Sequence, residues 1–136
     1  MPYTGGFPRV SEYKAIRGRY DFSVDGGAVG AITISAEQIP AGAYITHGYV
    51  EVDTACTSGA SGTLAISVEA ANDIVNAAAV SGAPWSTTGF KSVIPVATGA
   101  TAVKTTAARS IVATIGTGAL TAGVVDVVLF YVVYSD

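Results

Sequence analysis

The chain has 136 residues, half of them hydrophobic and 12% charged, with a formal net charge of −3: the length of one domain, and a composition far from disorder. The charge argues against a general nucleic-acid binder, which needs clustered Lys and Arg to neutralise phosphates, and the single cysteine, Cys56, excludes an internal disulfide and a cysteine-built metal site. The longest apolar run, Val127 to Tyr134, is far short of the roughly 20 residues of a membrane-spanning helix, and MPYTGGFPRV lacks the charged and apolar regions of a secretory signal, so a cytoplasmic site of synthesis is expected.

Residues 1–19, MPYTGGFPRVSEYKAIRGR, hold four of the seven basic residues, Arg9, Lys14, Arg17 and Arg19, against one acid, Glu12; the remainder holds three basic residues and nine acids. Two prolines, three glycines and no sustained period predict an extended basic arm over 1–19, followed by an acidic body over 20–136. From Tyr20 the period becomes 2: Tyr20, Phe22 and Val24 alternate with Asp21, Ser23 and Asp25, and a turn at Asp25-Gly26-Gly27 closes the predicted strand. AVGAITIS alternates more loosely, and IPAG marks a turn before AYITHGYVEVDTAC. There Tyr44, Thr46, Gly48, Val50 and Val52 would share one face, with Ile45, His47, Tyr49, Glu51 and Asp53 on the other.

The polar loop TSGASG leads into TLAISVEA, whose Leu64, Ile66 and Val68 predict the cleanest half-buried strand in the chain. In ANDIVNAAAVSGAPWSTTG, Ile74 to Val80 fits one short helical turn or an irregular edge strand, Pro84-Trp85 follows as a loop, and loop is the favoured reading of the whole segment. Beyond it come FKSVIPV, a short strand near Val103, ARSIVATIG, a hairpin loop at GTGALTAG, and the terminal strand VVDVVLFYVVYSD. About eight strands with turns every 8 to 12 residues predict an all-β protein, a jelly-roll-like antiparallel β-sandwich. The terminal strand is apolar on both sides: Val125, Val127, Leu129, Tyr131 and Val133 on the face expected to be core, and Val128, Phe130, Val132 and Tyr134 on the other. A sandwich has one core, so this second face needs cover from another part of the chain or from another chain, and Val128, Phe130 and Val132 are candidates for an interface between copies.

No catalytic constellation emerges. His47, the only histidine, shares a strand face with Glu51 and Asp53, an arrangement that reads as a solvent-facing polar strip. Gly59-Ala60-Ser61-Gly62 lacks the spacing of a nucleophile elbow, because Thr63 stands where the last glycine belongs. Lys104-Thr105 ends like a P-loop, but Val103 replaces the required glycine and no helix follows. The acids are scattered without a calcium-loop pattern, and Trp85 in its proline-flanked loop reads as a plug over one end of the sandwich or as a stacking group for a sugar. The chain is therefore expected not to be an enzyme and to need no metal or cofactor.

The order RYDFSVDGGAVGAITI, then IPAGAYITHGYVEVDTACTSGASGTLAISVEAAND, then KTTAARSIVATIGTGALTAG with a terminal strand ending in YVVYSD resembles small head proteins of tailed bacteriophages, the capsid decoration, or cement, proteins. The resemblance covers Arg19 to Asp136 and rests on turn and strand patterns. It implies a virion protein, assembled in the host cytoplasm, that binds the outer surface of the icosahedral head and bridges major capsid protein subunits, with no catalytic residues. Partners would be the major capsid protein and further copies of itself, a dimer being favoured over a trimer, with neither nucleic acid nor membrane. The arm would dock on the shell through Tyr3, Phe7, Arg9, Lys14, Arg17 and Arg19. The alternative is a carbohydrate- or receptor-binding module of a phage tail or fibre, using Trp85 and the tyrosines.

Overall fold

The computed structural model describes residues 9–93 and 102–135, with side chains over 13–92 and 102–133. Eight strands and one helical turn follow in order: β1 (Arg9–Asp21), α1 (Phe22–Asp25), β2 (Gly30–Thr33), β3 (Ala43–Ser58), β4 (Thr63–Ser67), β5 (Val75–Ala79), β6 (Gly89–Val93), β7 (Val112–Gly116) and β8 (Leu120–Ser135). They form two four-stranded sheets in the orders β1-β8-β3-β6 and β2-β7-β4-β5, and every pairing is antiparallel. Successive strands change sheet at each connection except the β4–β5 hairpin, which is the topology of a jelly roll. The expected eight-stranded sandwich is thus the observed one.

The two inner faces meet in one core. From the first sheet come Ile16 and Tyr20 of β1, Val50 and Val52 of β3, and Val125, Val127 and Leu129 of β8; from the second come Leu64 and Ile66 of β4 and Ala113 and Ile115 of β7. Trp85 plugs one end, fully buried, with its indole N–H donating to the Leu64 carbonyl at 3.0 Å. A buried indole needs such a partner, and this one fixes the 80–86 turn against β4. Burial pushes the Tyr20 phenol up to about 12 and the Cys56 thiol up to about 11, so both stay protonated in the folded chain at neutral pH.

Five local readings differ from the structure. The boundary expected at residue 20 falls inside β1, which runs antiparallel to β8 from Arg9 opposite Ser135 to Asp21 opposite Val124. Gly18 is no breaker here: a Cβ at that position would lie 2.9 Å from Ile34 Cγ1, so the residue marks a close crossing of chains. The expected strand continuing through Phe22 and Val24 stops at Asp21, whose carboxylate accepts from the Ser23 amide and hydroxyl while its own N–H donates to Asp25. These local bonds outcompete the ladder and roll the chain into α1.

In β3 a bulge at Thr46 breaks strict alternation, with register shifting between Ile45 and His47. Ile45 therefore joins Gly48, Val50 and Val52 inside, and Tyr44 joins His47 and Tyr49 outside. ANDIVNAAAV, expected as loop, contains edge strand β5. Its turn is held by Asp73, a buried carboxylate that accepts the amides of Val68, Glu69 and Ala70. Lastly, GTGALTAG is not a hairpin: β7 and β8 belong to opposite sheets, and the segment carries the chain from one to the other.

Because β1 supplies Ile16 and Tyr20 to the core and covers one edge of β8, a chain beginning at Tyr20 is expected to lose cooperative folding. Thermal unfolding followed by circular dichroism checks this; a melt near that of the full chain would show β1 to be dispensable.

Candidate interaction face

The outer face of the sheet β1-β8-β3-β6 gathers most of the residues singled out above. Register across β8 defines its rows: Tyr13 and Tyr44 flank Val132, Ala15 and His47 flank Phe130, Arg17 and Tyr49 flank Val128, and Arg19 and Glu51 flank Asp126. Edge strand β6 adds Ser92 beside Tyr49 and Phe90 beside Glu51. The His47 ring stacks on Phe130 with centroids 4.6 Å apart and planes 10° from parallel. Tyr49 lies 6.5 Å from Phe130 and meets Phe90 edge-on at 5.5 Å. An aromatic band therefore crosses three strands, and it ends in Phe90, which is 69% exposed.

Of the three expected interface residues, Val128 and Phe130 are half-buried on this face. Val132 is already buried, flanked by Tyr13 and Tyr44 of its own chain. The second face of the terminal strand is thus covered in part by tyrosine and histidine from neighbouring strands. Tyr13 at the β1 edge, 59% exposed, extends the apolar surface.

Two of the basic residues expected to dock outward, Arg17 and Arg19, approach a carboxylate of their own sheet. Arg19 Nη1 donates to both carboxylate oxygens of Asp126 at 3.1 and 2.9 Å, its Nη2 lies 3.7 Å from Asp53, and Arg17 Nη2 lies 3.6 Å from Asp126. The Asp126 side chain is only 9% exposed. A carboxylate so nearly removed from water needs either several hydrogen-bond donors, as Asp73 has, or positive partners, and for Asp126 β1 brings two. Lys14 is exposed on the same strand. Tyr3 and Phe7 lie outside the described residues, and Arg9 is described only as the backbone partner of Ser135.

His47, Glu51 and Asp53 do share the outer face, but the imidazole is spent on Phe130 and on a 3.0 Å contact between Nδ1 and Thr46 Oγ1. Among the described residues no three potential metal ligands converge. A cleft of about 290 Å³ beside the β3–β4 turn is lined by Cys56, Ser58, Ser61, Val80, Ser81 and Ser86. It holds no base, and its buried thiol is the protonated, unreactive form. Trp85 is inaccessible to a sugar. Lys104 places its ammonium 5.1 Å from the Tyr44 ring centroid, and Thr105 bonds Pro40 and Ala43; neither faces a phosphate cradle.

Sequence reading missed the ion network of Glu69, Thr106 and Arg109. Arg109 Nε donates to Glu69 at 2.8 Å and Thr106 adds its amide and hydroxyl. These hydrogen bonds, led by the one from Arg109, hold the Glu69 carboxyl below its ordinary range. Residues forty positions apart carry no sequence signal of such a contact.

No protein-family model and no curated protein matches the chain. Solved structures do. A chain in the capsid of Ralstonia phage GP4 superposes with a TM-score of 0.65 at 16% identity, over 99% of this chain and 93% of that one. A chain in the acid-stable capsid of Helicobacter pylori bacteriophage KHP30 gives 0.62 at 11%, over 96% and 98%. One in the capsid asymmetric unit of cyanophage Pam1 gives 0.61 at 19%, over 98% and 93%. At these identities the likeness is one of fold, and the mutual coverage shows that this single jelly roll is nearly the whole of each matched chain.

Replacing Asp126 with Ala leaves Arg17 and Arg19 facing an uncharged strand, and the partly exposed pair should be worth about 1–2 kcal/mol. Urea denaturation is expected to show a lower midpoint at unchanged slope; an unchanged midpoint would show the cluster to be screened by solvent.

Proposed function

We propose that the chain is a structural protein of a phage virion, a decoration or cement protein that binds the outer surface of an icosahedral head and bridges subunits of the major capsid protein. The observation that carries this reading is the end-to-end likeness to chains in the capsids of three phages. One feature of the chain supports it: an aromatic, charge-studded sheet face suited to protein contact. Many weak contacts repeated over a symmetric shell give strong retention without any single tight site.

Within this reading the N-terminal residues, with Tyr3, Phe7 and Arg9, are the proposed contact to shell subunits. Of the other proposed docking residues, Lys14 and Arg17 stay exposed on β1, and Arg19 bonds both carboxylate oxygens of Asp126. The carbohydrate-binding alternative loses its main support with the burial of Trp85.

Shells assembled from the phage's major capsid protein, mixed with the chain and sedimented, are expected to carry it down at a fixed ratio to shell subunits and to withstand heating better. A chain lacking residues 1–8, which leaves every described strand in place, should fold yet fail to sediment with shells. Full-length chain remaining in the supernatant would overturn the reading.

A further inference from the structure

The same outer sheet face carries both halves of a complementary surface. Arg17 stands on edge strand β1, 69% exposed, with only a 3.6 Å contact to Asp126. Glu51 stands two strands away on β3, half-buried, with no ion pair or hydrogen bond among the described residues. Between and beyond them runs the aromatic band of Phe130, His47, Tyr49 and Phe90. A positive edge, an apolar centre and a negative far side on one face suit that face to a copy of itself.

We propose that a second copy of this chain docks face to face on the sheet β1-β8-β3-β6, Arg17 of each copy pairing with Glu51 of the other across the shared aromatic band. A two-fold axis running along the strands between β8 and β3 exchanges the two sides of the sheet. It lays β1 of one copy over the β3–β6 side of its partner, and β8 over β3. Phe130 then meets the partner's His47 and Tyr49, and the Arg17 guanidinium reaches the side that carries Glu51 of the partner subunit and the partner's Phe90, an ion pair and a cation–π contact at once. Strand spacing and rise make the face about 19 Å by about 27 Å, so on the order of 1,000 Å² is buried in total, the lower bound of a specific interface.

This goes beyond attachment to a shell and is tested in its absence. Sedimentation equilibrium of the full chain is expected to show a dimer at about 50 μM, with each single reversal, R17E or E51R, raising Kd at least about tenfold. The combined R17E/E51R chain should return to within about threefold of the original, since both reversed pairs are again opposite in sign. Because R17E also touches the Asp126 cluster, E51R and Phe90→Ser provide separate arms; each should keep the circular dichroism spectrum of the parent while losing the dimer. A monomer at that concentration, a trimer, or a double variant no tighter than the singles would overturn the proposal.

Discussion

Strand β8 is hydrogen-bonded along both edges, to β1 on one side and β3 on the other, and is apolar on both faces. Everything else in the molecule answers that constraint. Its odd-numbered residues supply the centre of the first sheet's contribution to the core, where Val125, Val127 and Leu129 are fully buried between Tyr20 of β1 and Val50 and Val52 of β3. Its even-numbered residues point outward and would leave a bare hydrocarbon stripe, were it not for the tyrosines and histidine that lean over it from β1 and β3. That partial cover explains how one chain can hold such a strand while Tyr13 and Phe90 stay exposed on the same sheet face.

Asp126 decides which face is which. A lone carboxylate turned into the sandwich would have no counter-charge and a large desolvation cost. Turned outward, it meets Arg17 and Arg19 and stays nearly buried beneath them. A shift of β1 by one residue would swing both guanidiniums to the opposite face, so the cluster also specifies the register of β1 against β8. The division of the sequence into a basic beginning and an acidic remainder is in this sense an intramolecular pairing stretched out along the chain.

Much of this was legible in sequence wherever one period held. Leu64, Ile66 and Val68 fall inside as their alternation requires, and the Val125 face is core. Legibility failed where a short-range hydrogen bond overrode a period. Asp21 and Asp25 turn an alternating stretch into α1, Asp73 creates the turn that allows β5, and the bulge at Thr46 reverses the parity of everything before it in β3. It failed again where composition was read without its long-range partner: Gly18 and a cluster of arginines resemble a loose arm until β8 and Ile34 stand beside them. The aromatic band was half visible, with Phe130 and His47 both noted but on strands whose adjacency only topology supplies.

The account rests on the outer face of β8 being buried against protein when the chain does its work. Hydroxyl-radical footprinting, comparing the chain on assembled particles with dilute chain, measures that directly at Phe90, Tyr49 and Phe130. The account predicts strong protection of all three on particles and open reactivity of Phe90 in dilute solution. Equal oxidation of these rings in both states would show the face open to water throughout and would contradict it.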